Sequence, residues 1–262
     1  MGHPDFIIIG AQKSGTSWLH MNLRRHPDIW MPEVEMHGWR DKPLQEYLSI
    51  YDRSESKTGE KGPEYFHMPR YAVRKLTEDL PATIFIALLR RPYERAWSQA
   101  RMECSRYNRQ EAPGPMRLFV KCMTVRNRQR TRYDRILQNW MACADDRLHV
   151  YYYDDLCDRP GWLLSRVCEN IGVNPTVPAK KRVWASPERD IPPLVQAELE
   201  QLYEPVIRRL SQLGFAPPKG WFENISVAAK SLKLRFIRYA TGACTAPYYL
   251  YHQIRFLRLT AR

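Results

Sequence analysis

The chain has 262 residues, enough for one α/β domain with a full core or one domain carrying an appendage, and a formal net charge of +13. Hydrophobic residues make up 44% and charged residues 26%, ordinary for a globular protein, and no apolar run is long enough to span a bilayer. The positive balance favours anionic partners: a nucleotide, an acidic glycan, a membrane surface or nucleic acid, with a merely solvated basic surface as the bland alternative. The six cysteines (104, 122, 143, 157, 168 and 244) form no C-x-x-C pair and no zinc spacing. A reduced intracellular chain is the simpler expectation, and one scattered disulfide stays open.

Phe6-Ile7-Ile8-Ile9 is short, apolar and β-branched, as expected of a strand buried on both faces, and Gly10 ends it. Ala11 to Gly15 then turns, and Thr16-Ser17 is placed to cap a helix that carries Trp18, Leu19 and Leu23 inward. A strand, a glycine-bearing turn and a helix N-terminus make an anion site, to which Lys13 adds a full charge. The loop departs from G-x-x-x-x-G-K-[ST]. Gly10 and Gly15 keep the glycine spacing, but Thr16 stands where that motif has lysine, and the lysine is at position 13. An ordinary ATPase or GTPase site is therefore disfavoured. A phosphate or sulfate remains the expected ligand.

Gln12-Lys13-Ser14-Gly15-Thr16-Ser17-Trp18-Leu19 resembles the 5′-phosphosulfate loop (K-x-G-T-[ST]-x-L) of sulfotransferases that use 3′-phosphoadenosine 5′-phosphosulfate, PAPS. The similarity is to the branch containing heparan sulfate sulfotransferases and their bacterial relatives. It implies a three-layer α/β sandwich with a central parallel sheet of four or five strands. It also implies PAPS as co-substrate, adenosine 3′,5′-bisphosphate (PAP) as product, no metal, and nucleotide contacts at Lys13, Ser14, Gly15, Thr16, Ser17 and Trp18.

Farther along, Glu33 to Asp41 aligns with the family's K-E-x-H-[FY]-[FW]. Glu35 and His37 match, Trp39 matches the last aromatic, and Val34 and Gly38 depart. The resemblance implies Glu35 as general base, with His37 sharing or orienting the proton, and Trp39 on the acceptor side; Glu33 reads as structural. Residues 42–58 read as a polar, irregular surface segment over the site entrance. Gly59-Glu60-Lys61-Gly62-Pro63-Glu64-Tyr65 resembles the family's G-E-x-[ST]-P-x-Y, which lines the acceptor pocket through Tyr65. Lys61 is read either as a contact to sulfate or an acidic acceptor, or as a solvated lysine.

A helix is predicted from about Pro69 to Leu80, then a second buried strand, Thr83–Leu89. That strand runs into Arg90-Arg91-Pro92-Tyr93-Glu94-Arg95-Ala96-Trp97-Ser98, which matches R-[ND]-P-x-[DE]-R-A-x-S except at Arg91. By the resemblance Arg90 and Ser98 bind the 3′-phosphate. An arginine leaving a strand offers a planar fork of donors, and Ser98 lies two turns into a helix opened by Pro92. Arg95 is expected to pair with a carboxylate. Two anion sites on neighbouring strands suit a nucleotide phosphorylated at both 3′ and 5′.

Arg101 to Arg135 carries ten basic and three acidic residues, with Ala112-Pro113-Gly114-Pro115 marking a loop, either an acidic-acceptor dock or a lid. With few aromatics between the charges, nucleic acid is not the expected partner. The helix from Tyr133 to Cys143 resembles the family's Y-x-x-x-L-x-x-W, core first, with Tyr133 as a pocket residue. Leu148–Tyr153 is the third strand, and Asp154-Asp155-Leu156 matches Y-E-D-L as a capping and tethering turn before a helix opened by Pro160. Lys180-Lys181-Arg182 sits where relatives close a basic loop over the adenosine 3′-phosphate. An amphipathic helix from Pro193 to Leu213 and the stretch up to Phe222 close the domain, taken as residues 1–222.

Residues 224–262 hold seven Lys or Arg and no Asp or Glu, with apolar residues at helical spacing. This basic amphipathic extension (223–262) suits a peripheral membrane contact, packing on its own domain, or a homodimer interface. The expected location is the cytoplasm, in solution or peripheral at a membrane. The reaction expected is sulfuryl transfer from PAPS to a hydroxyl or amine of a glycan, phenol or lipid headgroup. A P-loop phosphotransferase and a non-catalytic basic adaptor are the alternatives.

Overall fold

A computed structural model describes residues 2–52, 56–107, 113–179 and 190–222. Lys180, Lys181, Arg182 and the basic extension lie outside the described residues. The strands are β1 (Phe6–Gly10), β2 (Ile29–Trp30), β3 (Lys57–Lys61), β4 (Ile84–Leu89) and β5 (Leu148–Tyr152). They pair in the order β2-β3-β1-β4-β5, every pair parallel. The helices that follow β1 are α1 (Thr16–Arg24), α2 (Gly38–Asp41), α3 (Leu44–Ser49), α4 (Arg70–Asp79) and α5 (Pro92–Tyr107). After them come α6 (Pro115–Cys122), α7 (Val125–Gln129), α8 (Tyr133–Ala144), α9 (Tyr153–Asp158), α10 (Pro160–Ile171) and α11 (Pro193–Gln212).

The side-chain alternation of a strand sorts this sheet into two cores. Phe6, Ile8, Ile86 and Leu88 face α1 and α10, meeting Leu19, Leu23, Leu163, Leu164 and Val167. Ile7, Ile9, Phe85, Ala87 and Leu89 face the other side, against Val73 and Leu76 of α4, Trp97 of α5, Leu137 and Trp140 of α8 and Leu199 of α11. Both faces are covered, so the central strands read as unbroken apolar runs. The result is the three-layer sandwich with five parallel strands that the motifs imply.

Within 42–58, the described residues are not an irregular surface segment. They include α3 and the start of β3, and Tyr47, Leu48 and Tyr51 are buried. Two of these tyrosines close over Glu60, which is fully buried on β3. Tyr47 Oη donates to one carboxyl oxygen at 3.0 Å and Tyr51 Oη to the other at 2.7 Å. The Tyr65 phenol is the third group facing it, and Lys61, next in the strand, points to the opposite face. Burial pushes the Glu60 carboxyl up to about 7 from 4.5, against the pull of the three phenols. Polar residues here mark a buried hydrogen-bonded cluster, which sequence periodicity does not reveal.

Two tests follow from this packing. A methyl group at Gly59 would lie 2.3 Å from Phe6 Cζ, so Gly59→Ala forces the ring or the β1–β3 pair apart. Its expected cost is about 1–3 kcal/mol, read as a lowered urea midpoint. For Glu60, the folded state holds the proton to higher pH than the unfolded state. The unfolded state therefore binds fewer protons between about 4.5 and about 7, and stability falls as pH rises through that window. Denaturation midpoints measured from pH 4 to 8 should show this decline, and Glu60→Gln should remove it.

Candidate functional site

The C-terminal ends of β3, β1 and β4 lie side by side, and each delivers a candidate group. After β1 the chain turns through Ala11–Gly15 into α1. Gly15 is the N-cap residue, at φ 93°, and Lys13 has φ 72°, so both sit in the left-handed region. Thr16 and Ser17 are the first helical residues and no side chain caps the helix, a correction to their expected capping role. The first bonds inside the helix run from Trp18 and Leu19 to the Gly15 carbonyl. The amides of Gly15, Thr16 and Ser17 therefore precede the hydrogen-bonded ladder, where an anion can take them. A Cβ at Gly15 would lie 2.6 Å from Leu156 Cδ1 and 3.2 Å from Tyr153 Cδ2, so only glycine fits this turn. Ser14 is fully buried, its hydroxyl beside the Tyr133 phenol without a well-formed hydrogen bond. Trp18 is buried in the core beneath the loop.

β4 ends at Leu89, and Arg90 emerges at the same edge. The two strand ends are tied directly, Ala11 N–H donating to the Leu88 carbonyl at 2.8 Å. The Arg90 guanidinium lies 4.5 Å from the centre of the Tyr153 ring and donates to Glu94 at 3.0 Å. Tyr153 thus packs beside both Gly15 and Arg90, and links the turn after β1 to the end of β4. Tyr133, fully buried, donates its hydroxyl to the Arg90 carbonyl at 3.1 Å. Ser98 lies two turns along α5, half-buried. Sequence reading assigned Tyr153 no role; an aromatic leaving the carboxyl end of a parallel strand is the signal that would have found it.

β3 supplies Lys61, which is not a solvated lysine: its side chain is 7% exposed. Its ammonium lies 2.8 Å from Glu35 Oε1 and donates to Ser17 Oγ at 3.2 Å. One buried cation therefore joins the loop after β1 to Glu35, whose own side chain is 47% exposed. The backbone repeats the link, Met36 N–H donating to the Lys61 carbonyl at 3.1 Å. His37 packs its ring edge-on to Tyr65 at 5.8 Å, with Nδ1 buried and without a hydrogen bond. Trp39 commits its indole N–H to Asp79 on α4 at 2.8 Å, which docks the 33–41 segment on the sheet's helical cover. Glu33 pairs with Arg24 at 3.2 Å, as a structural residue would.

Arg95 departs from expectation. It is fully buried and, among the described residues, meets no carboxylate; it donates instead to Thr131 Oγ1 at 3.0 Å and to the Asn127 carbonyl at 3.0 Å. Burial holds its pKa below the usual arginine value. Asp154 accepts from the Trp221 indole at 3.1 Å and Asp155 pairs with Arg159, so both tether the turn after β5. The basic 101–135 stretch is mainly helical, as the end of α5, α6 and α7, and the residues described between α5 and α6 are only 113 and 114. Among the described residues no helix is long and apolar enough to cross a membrane.

Residues 3–186 match the family model described as the sulfotransferase domain. The membrane-associated sulfotransferase kil1 of Dictyostelium discoideum is 33% identical over 121 residues, 42% of this chain and 25% of that protein. Human heparan sulfate glucosamine 3-O-sulfotransferase 6 is 35% identical over 100 residues, 36% of this chain and 29% of that one. The aligned stretches span less than a third of either relative's length. Among solved structures, a sulfotransferase from Alicyclobacillus acidocaldarius superposes with a TM-score of 0.66 at 20% identity, covering 84% of this chain and 99% of its own. Mouse sulfotransferase SULT7A1, solved with PAP, gives 0.54 at 12% identity, covering 92% and 90%. These structural likenesses establish a shared fold. With the family model covering most of the chain and a loop, a strand-end arginine and a lysine-paired glutamate at one sheet edge, this chain belongs to the sulfotransferase family.

Proposed function

We propose that the chain moves a sulfuryl group from PAPS to a hydroxyl or amine of an acceptor, leaving PAP. The observation that carries this reading is Tyr153 lying against both Gly15 and Arg90. The turn at Gly15 and the Arg90 guanidinium lie against one ring, which supports a single small molecule with phosphates at both ends as the ligand. That a mouse sulfotransferase of the same fold was solved with PAP supports the choice of nucleotide.

In this reading Lys13 and the amides of Gly15, Thr16 and Ser17 hold the 5′-phosphosulfate and stabilise charge that builds on the leaving phosphate oxygen. Ser14 contributes the hydroxyl left without a well-formed hydrogen bond inside the fold. Arg90 and Ser98 anchor the 3′-phosphate. Glu35 removes the acceptor's proton as its oxygen or nitrogen attacks sulfur. Lys61, already bonded to Ser17 and Glu35, keeps the base beside the transferring group and offsets its charge. In-line positioning and charge neutralisation supply most of the rate. Trp39 and Tyr65 shape the acceptor side, Trp39 through the docking of its loop.

Transfer of ³⁵S from labelled PAPS into extracts of the source cells, with PAP binding by calorimetry, tests these roles. Lys13→Ala should lower transfer by roughly 10²–10³-fold. Arg90→Ala should weaken PAP binding at least about tenfold, as loss of a charged bidentate phosphate contact does. Wild-type transfer in either variant would overturn the assignment of the nucleotide site. Glu35→Gln should separate the steps: PAP binding kept, and transfer lowered by about 10²–10⁴-fold. A Glu35→Gln enzyme as fast as wild type would remove Glu35 from the chemistry.

A further inference from the structure

The two buried guanidiniums Arg95 and Arg130 belong to neither grip on the nucleotide, yet they form a continuous chain into the site. Arg95, on the helix that follows Arg90, holds Asn127 and Thr131 through its donors. Asn127 returns a bond to the Ala96 carbonyl at 2.9 Å. The short link between α7 and α8 is thereby pinned to α5, and it presents Arg130 with only 5% of its side chain exposed. Arg130 Nη1 donates to the side-chain carbonyl of Gln12, and Nη2 donates to both oxygens of Glu64 at 2.6 Å.

Those two partners belong to two different loops, Gln12 to the turn after β1 and Glu64 to the turn after β3. Gln12 immediately precedes Lys13, whose φ of 72° an L-residue keeps only when its neighbours hold it there. Glu64 opens the turn carrying Tyr65, three residues beyond Lys61. His67 lies 3.5 Å from the same carboxylate. Burial and the Arg130 charge hold its pKa down to about 4, so a neutral imidazole leaves the carboxylate to the arginine. A planar fork can serve a carboxylate and an amide oxygen at once; an ammonium, a point charge, cannot do so in the same geometry.

We propose that Arg130 is a positioning residue for sulfuryl transfer: by holding Gln12 and Glu64 together it sets the spacing between the phosphosulfate loop and the acceptor-side turn. The catalytic part of this inference rests on the reading of the site given above; the mechanical part does not. Among the described residues the Arg130 side chain hydrogen-bonds Gln12 and Glu64 and none of the side chains assigned to the nucleotide, so its loss should act on turnover more than on nucleotide affinity.

The test uses the full chain with Arg130→Lys, and Glu64→Gln as a second variant should the first not fold. Hydrogen exchange of the unliganded protein is read by mass spectrometry on peptides spanning 10–20 and 62–70. Both peptides should exchange faster in the variant, while β4 stays as in wild type. With PAPS, kcat should fall about tenfold or more and the PAP dissociation constant should change less than about threefold, the signature of lost positioning. Adding Gln12→Ala to Arg130→Lys should lower kcat no further, since both remove one contact. Unchanged exchange in either peptide overturns the coupling. Wild-type kcat alongside faster exchange overturns the catalytic role. A wild-type protein that transfers nothing from PAPS sinks the sulfuryl-transfer reading and, with it, the positioning role, while the exchange comparison still decides the coupling.

Discussion

Placing β1 between β3 and β4 is the constraint on which the site depends. Parallel strands end at the same edge, so three sequence-distant segments arrive together: the loop with Lys13, the turn after Lys61, and Arg90. The chain adds β2 and β3 on one side of β1 and β4 and β5 on the other, and loops diverge where the order reverses. The crevice left there is where ligands of open parallel sheets bind. The two cores, packed against opposite faces, keep the three strand ends in register. No single side chain makes the site.

Buried ionisable groups do the finer placement. Lys61 is a desolvated cation, costly unless paired, and its pairing with Glu35 and Ser17 fixes how far the 33–41 segment stands from the loop. Among the described residues Arg95 bonds to neutral groups, the hydroxyl, carbonyl and amide oxygens of Asn127 and Thr131. Arg130 passes that rigidity on to Gln12 and Glu64. Glu60 plays the corresponding part beneath the acceptor side, held by phenols from the α3 region and close to Tyr65, whose ring carries His37. In each case a buried polar group holds a loop that apolar packing alone would leave free.

Much of the framework was legible in the sequence. The runs Phe6–Ile9 and Thr83–Leu89 announce doubly buried strands because a covered parallel sheet demands apolar residues on both faces. Gly10 and Gly15 announce a tight turn between β1 and α1, and Gly15 takes the left-handed backbone that glycine permits. The helices at 70–79, 160–171 and 193–212 follow from apolar spacing and a proline at the start, and the one at 133–144 from apolar spacing alone. The 42–58 stretch misled because its buried tyrosines answer a glutamate 13 and 9 positions farther along the chain, and local polarity resembles exposure.

By itself the sequence determined which segments form the central strands, where a glycine-bearing turn leads into a helix, and that an arginine follows β4. These are local facts, set by side-chain alternation, backbone freedom and helix ends within a few residues. Only the tertiary structure decided partners. It put Tyr153 between Gly15 and Arg90, took Lys61 from a possible surface charge to a buried bridge, turned Arg95 from carboxylates to neutral oxygens, and brought Arg130 to Gln12 across 118 positions. Such contacts depend on strand order and on the cost of burying charge, which no local pattern encodes.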